Sequence, residues 1–417
     1  MIKKWEQNLY TNKDIPIDMK LLSSEIKNQV LNSMITIIDR ERKAILEANK
    51  KDLEAFNRED QALYDRLVVN DAKINGMIQA IKEVQAQEDP VGQEISDLTL
   101  DSGLKIINKT APFGTIMIIY ESRPDVTIEA AVLAFKANNK ILLKGGKEAL
   151  NSNIILEQCW HEALEENGLS ADWIKLLHLK REETQEFLKN PTEKLDLIVP
   201  RGGERLIKFV KDNATCAVLI SGRGNNFLYV AKDADWEKTI KVIVNAKTDK
   251  ISGCNALDKV VIDKNIPNYQ DKVKELRTVL ANLKVELVVD ENIGEILPEE
   301  NVISCQKIWY EEFLAMKLLI AEVDNATTAI DMINKFSGGH SAVILTEDKE
   351  LAKVFMEQVD NAAVYHNAST RFTDGGQMGV GAELAISTDK LHHRGPLGLK
   401  QLVTNKYYVF GDGHVRV

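Results

Sequence analysis

Cysteine is scarce in this 417-residue sequence, with four residues and no paired spacing. That scarcity excludes a disulfide framework and a zinc-ribbon type of site, and it fits a reducing compartment. Long apolar runs are missing too. No stretch of about eighteen apolar residues occurs, and the opening MIKKWEQNLYTNKDIP has no apolar core of signal-peptide length. These absences predict a soluble, cytoplasmic protein. There is no excess of positive charge either: the net charge is −10 with both signs mixed, which argues against nucleic acid as the main partner. A small anionic ligand stays open, since it needs only a local cluster of donors. Repeats of fixed period are absent, as are the GxGxxG and GxxxxGK[ST] fingerprints of dinucleotide and P-loop sites.

What is present is length enough for two or three domains and periodicity that changes along the chain. Residues from about 18 to 92 carry apolar positions at helical spacing. LTLDSGLKIINKTAP then places an Asp-Ser-Gly turn between two short extended runs, which predicts a hairpin. From Gly114 onward short apolar strands alternate with amphipathic helices: GTIMIIYE, a proline-opened helix PDVTIEAAVLAFKANN, KILLKGG, a helix stopped by glycine, IKLLHL, LDLIVP, GERLIKFVKDN and CAVLI. A second alternating set follows Cys254, from DKVVID to AAVYHN. Such alternation predicts parallel sheets, with ligands beyond the carboxyl ends of the strands. The tail from Ser369 is glycine-rich, then extended through KYYVFGDG, and is expected to return to the first domain or to pair with a neighbour.

Several stretches could carry chemistry. LLKGGKEALNSN and IVPRGGERL set glycines where a strand hands over to a helix, with Lys144, Lys147 and Arg201 beside them. Backbone amides at such a junction can face an anion, although glycines also serve there as plain turn formers. In ISGCNALDKVV, Cys254 is either a reactive thiol or a small apolar residue under a strand. A free thiol with a pKa of about 8.5 is only roughly 3% thiolate at pH 7, so activation needs a cation, backbone donors or a helix terminus. Lys247, in NAKTDK, is a candidate cation by its proximity in sequence. Cys159 lies on a helix face, Cys216 opens a strand, and Cys305 lies in an undistinguished stretch. His340, His366 and the pair His392–His393 are loop-placed, and none can be paired with a cysteine from sequence. The polar stretch NASTRFTDGGQMGVGAEL (367–384) is too long for a simple connection and reads as either a ligand loop or a mobile one.

Together, YESRPDVTIEAA, LLKGGKEALNSN, IVPRGGERLI, the NAKT and CNAL segments, SGGHSAVILTED and NASTRFTDGGQMGVGAELAIST resemble, in this order, the gamma-glutamyl phosphate reductase (glutamate-5-semialdehyde dehydrogenase) family. That family belongs to the aldehyde dehydrogenase superfamily, and the resemblance runs from about residue 20 onward. It implies an aldehyde-dehydrogenase-like α/β fold with two parallel-sheet domains, a small oligomerisation hairpin and an extended C-terminal tail. Residues 1–224 would be the N-terminal helices and NADP-binding domain, with the hairpin at about 95–112. Residues 225–368 would form the catalytic domain, and 369–417 the substrate loop and tail.

The resemblance further implies NADPH as cofactor, no metal, and reduction of L-glutamate 5-phosphate in proline biosynthesis. Its catalytic group is Cys254, Ser122 and Asn255, with Ser122 where the superfamily places an oxyanion-stabilising asparagine. Its cofactor group is Lys144, Gly145, Gly146, Lys147, Arg201, Gly202, Gly203 and Glu312, and its substrate group is Arg123, Ser369, Arg371 and Thr373. Arg123 and Arg371 suit bidentate pairing with carboxylate or phosphate, or else internal salt bridges. A homo-oligomer, dimer or tetramer, is expected, and glutamate 5-kinase is the candidate protein partner. ISGRGNNFLYV has no acid where hydrolytic relatives carry a water-activating glutamate, which suits exchange with phosphate. It also departs from the family, with Arg223, Asn226 and Phe227 in place of its histidine and cysteine-histidine pair. That departure leaves open an acyl phosphate other than glutamyl phosphate, or a non-catalytic paralogue.

Overall fold

The computed structural model describes residues 21–57 and 61–416. Residues 18–20 of the expected first helix lie outside those residues. The chain divides into two compact units, one of residues 1–220, 380–385 and 397–417, the other of residues 221–379 and 386–396.

The first unit begins with the helices Ser24–Arg40, Arg42–Ala55, Gln61–Leu67 and Asp71–Ala86. Ser23 and Asn70 open two of them by accepting the backbone N–H three residues on, from Ile26 and Lys73. A parallel five-stranded sheet follows, in the order Ile174–Leu176, Lys140–Lys144, Thr115–Tyr120, Leu197–Arg201, Ala217–Val218. The central strand TIMIIY is buried throughout, as a parallel strand covered on both faces must be. Its side chains alternate: Ile116, Ile118 and Tyr120 join the larger core, while Met117 and Ile119 join the smaller one beyond the other face. Pro124 opens the helix Pro124–Lys136, whose missing N–H costs nothing in a first turn.

The predicted hairpin is present. Glu94–Thr99 and Lys105–Pro112 pair antiparallel around a turn in which Gly103 has φ +87°. Val403–Phe410 pairs antiparallel with the second of these strands along its whole length, giving a three-stranded sheet.

The second unit holds a parallel seven-stranded sheet in the order Asn301–Val302, Glu286–Val289, Lys317–Val323, Leu257–Asp263, Asn226–Val230, Ser341–Leu345, Ala363–His366. Again the two faces alternate. Leu228, Val230, Val260 and Ile262 feed one core, whereas Phe227, Tyr229 and Val261 feed the other. Each fully buried aliphatic side chain here contributes roughly 1.5–3 kcal/mol. The sheets match the fold expected from sequence. Two strands are shorter than their apolar runs, since IKLLHL gives only Ile174–Leu176 and CAVLI only Ala217–Val218. Both are edge strands whose pairing ends with their neighbours.

Candidate functional site

In the first unit the carboxyl ends of the strands open into a cleft of about 950 Å³. Lys144, Gly145, Gly146 and Lys147 line it together with Tyr120, Glu121, Asn153, His178, Arg181 and Arg205. A Cβ on Gly145 would stand 3.1 Å from the Tyr120 ring and overlap the Asn153 amide, so the backbone approaches these groups as only glycine can. Lys144 lies half-buried with Nζ donating to the Gly145 carbonyl at 2.7 Å, and burial draws its pKa down. Gly202 and Gly203 precede the helix Glu204–Asn213, and the Gly203 N–H donates to the Glu121 carboxylate at 3.2 Å. A carboxylate of the protein itself thus occupies this donor at the helix N-terminus.

Ser122 is buried, at 1% exposure, with φ +36°, a left-handed conformation that is strained for a residue with a side chain. Glu148 fixes it there. One carboxylate oxygen accepts both the Ser122 N–H at 2.9 Å and its Oγ–H at 2.6 Å. The turn that carries Ser122 is therefore tied directly to the Gly145–Lys147 loop. Arg123 donates to Asp125 at 2.8 Å, and Arg201 lies within 4.0 Å of Glu129. Burial lowers the Arg201 pKa and raises that of Glu129. Arg201 points into this internal cluster and is absent from the cleft lining.

In the second unit Cys254 is half-buried in a tight turn between the helix Trp236–Thr248 and the strand Leu257–Asp263. Hydrogen bonds from Gly253 N–H to Lys250 and from Ala256 N–H to Gly253 shape that turn. The Lys247 ammonium does not serve the thiol. It is fully buried and donates to the Leu257 carbonyl at 2.9 Å and to Asp258 at 3.1 Å. Burial moves both partners toward neutrality, lowering the lysine and raising the aspartate. Lys259 follows, donating to the Glu311 carbonyl at 2.5 Å and lying 3.7 Å from the Phe313 ring centroid. Burial brings its pKa down to about 7. Glu312 is its counterpart, pushed up to about 7 by burial and by Asp258, against a hydrogen bond from the Gly224 backbone.

The other second-unit candidates gather around Cys254. The Asn255 amide donates to the carbonyls of Arg371 at 3.2 Å and Thr373 at 2.9 Å, while Oδ1 is buried without a protein partner. Thr370 Oγ donates to the Asn255 carbonyl at 2.6 Å, and Ser369 Oγ accepts the Arg371 N–H. Thr373 is fully buried, its hydroxyl 2.7 Å from both Ser341 and Tyr365. Arg371 pairs with Asp249 at 2.9 Å, so both candidate arginines sit in internal salt bridges. His340 lies in the loop before the strand Ser341–Leu345, as expected. It is fully buried against Ser341, and burial holds its pKa at about 4.

Two of the departing residues, Arg223 and Phe227, bond or pack against residues 309–310, as does their neighbour Asn225. Arg223 donates to the Tyr310 carbonyl at 3.0 Å, and Asn225 donates to those of Trp309 and Phe336. Phe227 stacks on Trp309. Glu148, Glu121 and Asn226 were not anticipated as site residues. No spacing rule flags a lone carboxylate or amide whose partners are distant in sequence.

Two parallel sheets in two α/β units, with a glycine-lined cleft at the strand ends of the first, are the architecture of the aldehyde dehydrogenase class. An aldehyde dehydrogenase family model matches residues 25–295. The gamma-glutamyl phosphate reductase of Persephonella marina is 40% identical over 407 residues, spanning 95% of this chain and 91% of its own. The crystal structure of gamma-glutamyl phosphate reductase from Thermotoga maritima matches with a TM-score of 0.91 at 40% identity, covering 100% of this chain and 98% of that one. An acetylating aldehyde dehydrogenase from Geobacillus thermoglucosidasius shares the fold, with a TM-score of 0.64 at 17% identity, covering 100% of this chain and 96% of that one. The chain belongs to the aldehyde dehydrogenase family and, within it, to the gamma-glutamyl phosphate reductases. Enzymes of this family use a nicotinamide cofactor. Among the described residues no helix is long and apolar enough to cross a membrane.

Proposed function

We propose that this protein reduces L-glutamate 5-phosphate to L-glutamate 5-semialdehyde and phosphate with NADPH, through a thioester on Cys254, in proline biosynthesis. The observation that carries the reading is a half-buried cysteine in a sharply held turn, within a chain about 40% identical to gamma-glutamyl phosphate reductases across 95% of its length. The Cys254 thiolate attacks the acyl carbon, the carbon–oxygen bond to phosphate breaks, and inorganic phosphate leaves. NADPH, when bound, supplies the hydride that reduces the resulting thioester. The thiohemiacetal on Sγ then collapses, freeing the aldehyde and restoring Cys254.

The cleft fits the cofactor in volume and in its glycine-exposed backbone. Lys144, Gly145, Gly146, Lys147, Gly202 and Gly203 would hold its adenosine and pyrophosphate, and Glu312 the nicotinamide ribose. Arg201 clusters with Glu129 in the first unit. The residues proposed for acyl chemistry and substrate are Ser122, held by Glu148, and Arg123 in the first unit, and Asn255, Ser369, Arg371 and Thr373 in the second. Residues 221–230 contain no carboxylate, so no base there turns water onto the thioester. The first unit is read as the nucleotide-binding half and the second as the catalytic half. Exposed Ile95, Leu98, Tyr407 and Val409 on the three-stranded sheet suit a contact between subunits, and the reduced thiol suits the cytoplasm.

The test runs the reaction in reverse. NADP+ reduction by glutamate semialdehyde should require inorganic phosphate, and turnover with another aldehyde but not this one would refute the substrate. A second expectation concerns Glu312. A carboxylate that accepts from ribose hydroxyls must be ionised, and with a pKa of about 7 it gains that charge between pH 6 and 8. NADPH affinity, read by fluorescence titration, should therefore tighten by up to about tenfold over that range, the ratio of ionised fractions. In Glu312→Gln the slope should flatten, and an unchanged slope would remove the role.

A further inference from the structure

Asn226 begins the strand Asn226–Val230 and is fully buried. Its amide nitrogen faces three carbonyls, those of Gly224 at 2.9 Å, Cys254 at 2.8 Å and Ala256 at 2.7 Å. Its amide oxygen accepts the Ser341 N–H at 3.0 Å. The orientation is fixed by chemistry, because a flipped amide would set an oxygen against three carbonyl oxygens and a nitrogen against an N–H. We propose that Asn226 is a positioning residue, an amide clamp that holds the main chain on both sides of the nucleophile at the registry the reaction requires.

The argument is geometric. The turn 251–256 is shaped by short-range bonds to Lys250 and Gly253, and Asn255 ties its far end to residues 370–373. Asn226 is the side chain that ties the carbonyl of Cys254 itself to the sheet, and the same amide reaches Ser341 on the neighbouring strand. Without it, two carbonyls of the turn and one strand N–H lose a buried partner, and the Cys254 Cα is free to shift. A displacement of about 1 Å at a reacting centre costs on the order of a hundredfold in rate. The clamp rests on the reading of Cys254 as the nucleophile.

The test uses the full-length protein with NADP+, glutamate semialdehyde and phosphate. Asn226→Asp keeps the shape but replaces the donor by an acceptor, and Asn226→Ser is smaller, keeping one donor and room for a bridging water. We expect kcat to fall at least tenfold in N226D, with N226S between it and wild type, while the Kd for NADP+ from calorimetry stays within twofold. General loss of structure would move the Kd as well. A kcat for N226D within fivefold of wild type, a matching loss of NADP+ binding, or N226S below N226D overturns the clamp. If N226D does not fold, N226S decides on the same fivefold limit. Cys254→Ala run in parallel separates the two readings. Retained turnover there removes the nucleophile and the clamp together, whereas lost turnover with an active N226D removes the clamp alone.

Discussion

Cys254→Ala is expected to abolish phosphate-dependent NADP+ reduction, by at least about a thousandfold, without unfolding the protein. The expectation of a folded variant has a structural basis. The main-chain carbonyl of Cys254 carries the bond to Asn226, and that carbonyl survives the substitution, as does the Cβ. Only the half-buried sulfur is lost. The remaining thiols cannot replace it: burial pushes Cys159 up to about 12 and raises Cys216, while Cys305 sits on the surface between a short edge strand and a turn. The measurement is initial velocity at saturating phosphate beside a melting curve. Turnover within tenfold of wild type in a folded Cys254→Ala protein would end the thioester mechanism.

The second large effect belongs to Gly224→Ala. A Cβ at Gly224 would overlap the carbonyl oxygen of Cys254 and stand 2.5 Å from its carbonyl carbon and 2.7 Å from its Cα. These are backbone atoms, which cannot rotate away as a flexible side chain could. The neighbouring chain is equally close, since a Cβ on Gly222 would lie 2.7 Å from the Gly338 carbonyl. One methyl group must therefore displace the nucleophile turn bodily. We expect kcat to fall at least a hundredfold and the melting temperature to drop by several degrees, in line with an overpacking cost of about 1–3 kcal/mol. Gly76→Ala is the control. It lies in the helix Asp71–Ala86 with open space around its Cα, so alanine should leave turnover unchanged and raise stability by about 0.5–1 kcal/mol. Equal activity in wild type and Gly224→Ala would contradict the packing described.

The fold was legible in the sequence where periodicity is strong. Runs such as TIMIIY and DKVVID are apolar without a break because both faces of their sheets are covered, and no solvent-facing alternation blurs them. The Asp-Ser-Gly turn showed the hairpin for a comparable reason, since only glycine takes its φ cheaply. The site was less legible. Lys247 is close to Cys254 along the chain, yet helix and strand geometry turn its ammonium to Asp258. Arg201 stands beside two glycines in sequence but packs toward Glu129. Sequence proximity fixes neither side-chain direction nor partner. The Arg223–Phe227 departure is visible in the sequence, but not that Arg223 reaches the Tyr310 carbonyl and Phe227 the Trp309 ring. Polar partners 28 to 115 residues apart, as for Asn226 with Cys254 and Ser341, leave no local pattern to read.

Asn108 and Asn405, 297 positions apart, meet at 3.0 Å where the late strand joins the early hairpin. During translation, then, the ribosome must make the whole seven-stranded unit before the rung beside Lys105–Pro112 exists. Until that moment the nascent chain exposes an unpaired ribbon edge, the kind of template on which neighbouring polypeptides aggregate. Chaperone demand should peak in that interval and end when Val403–Phe410 seals the edge.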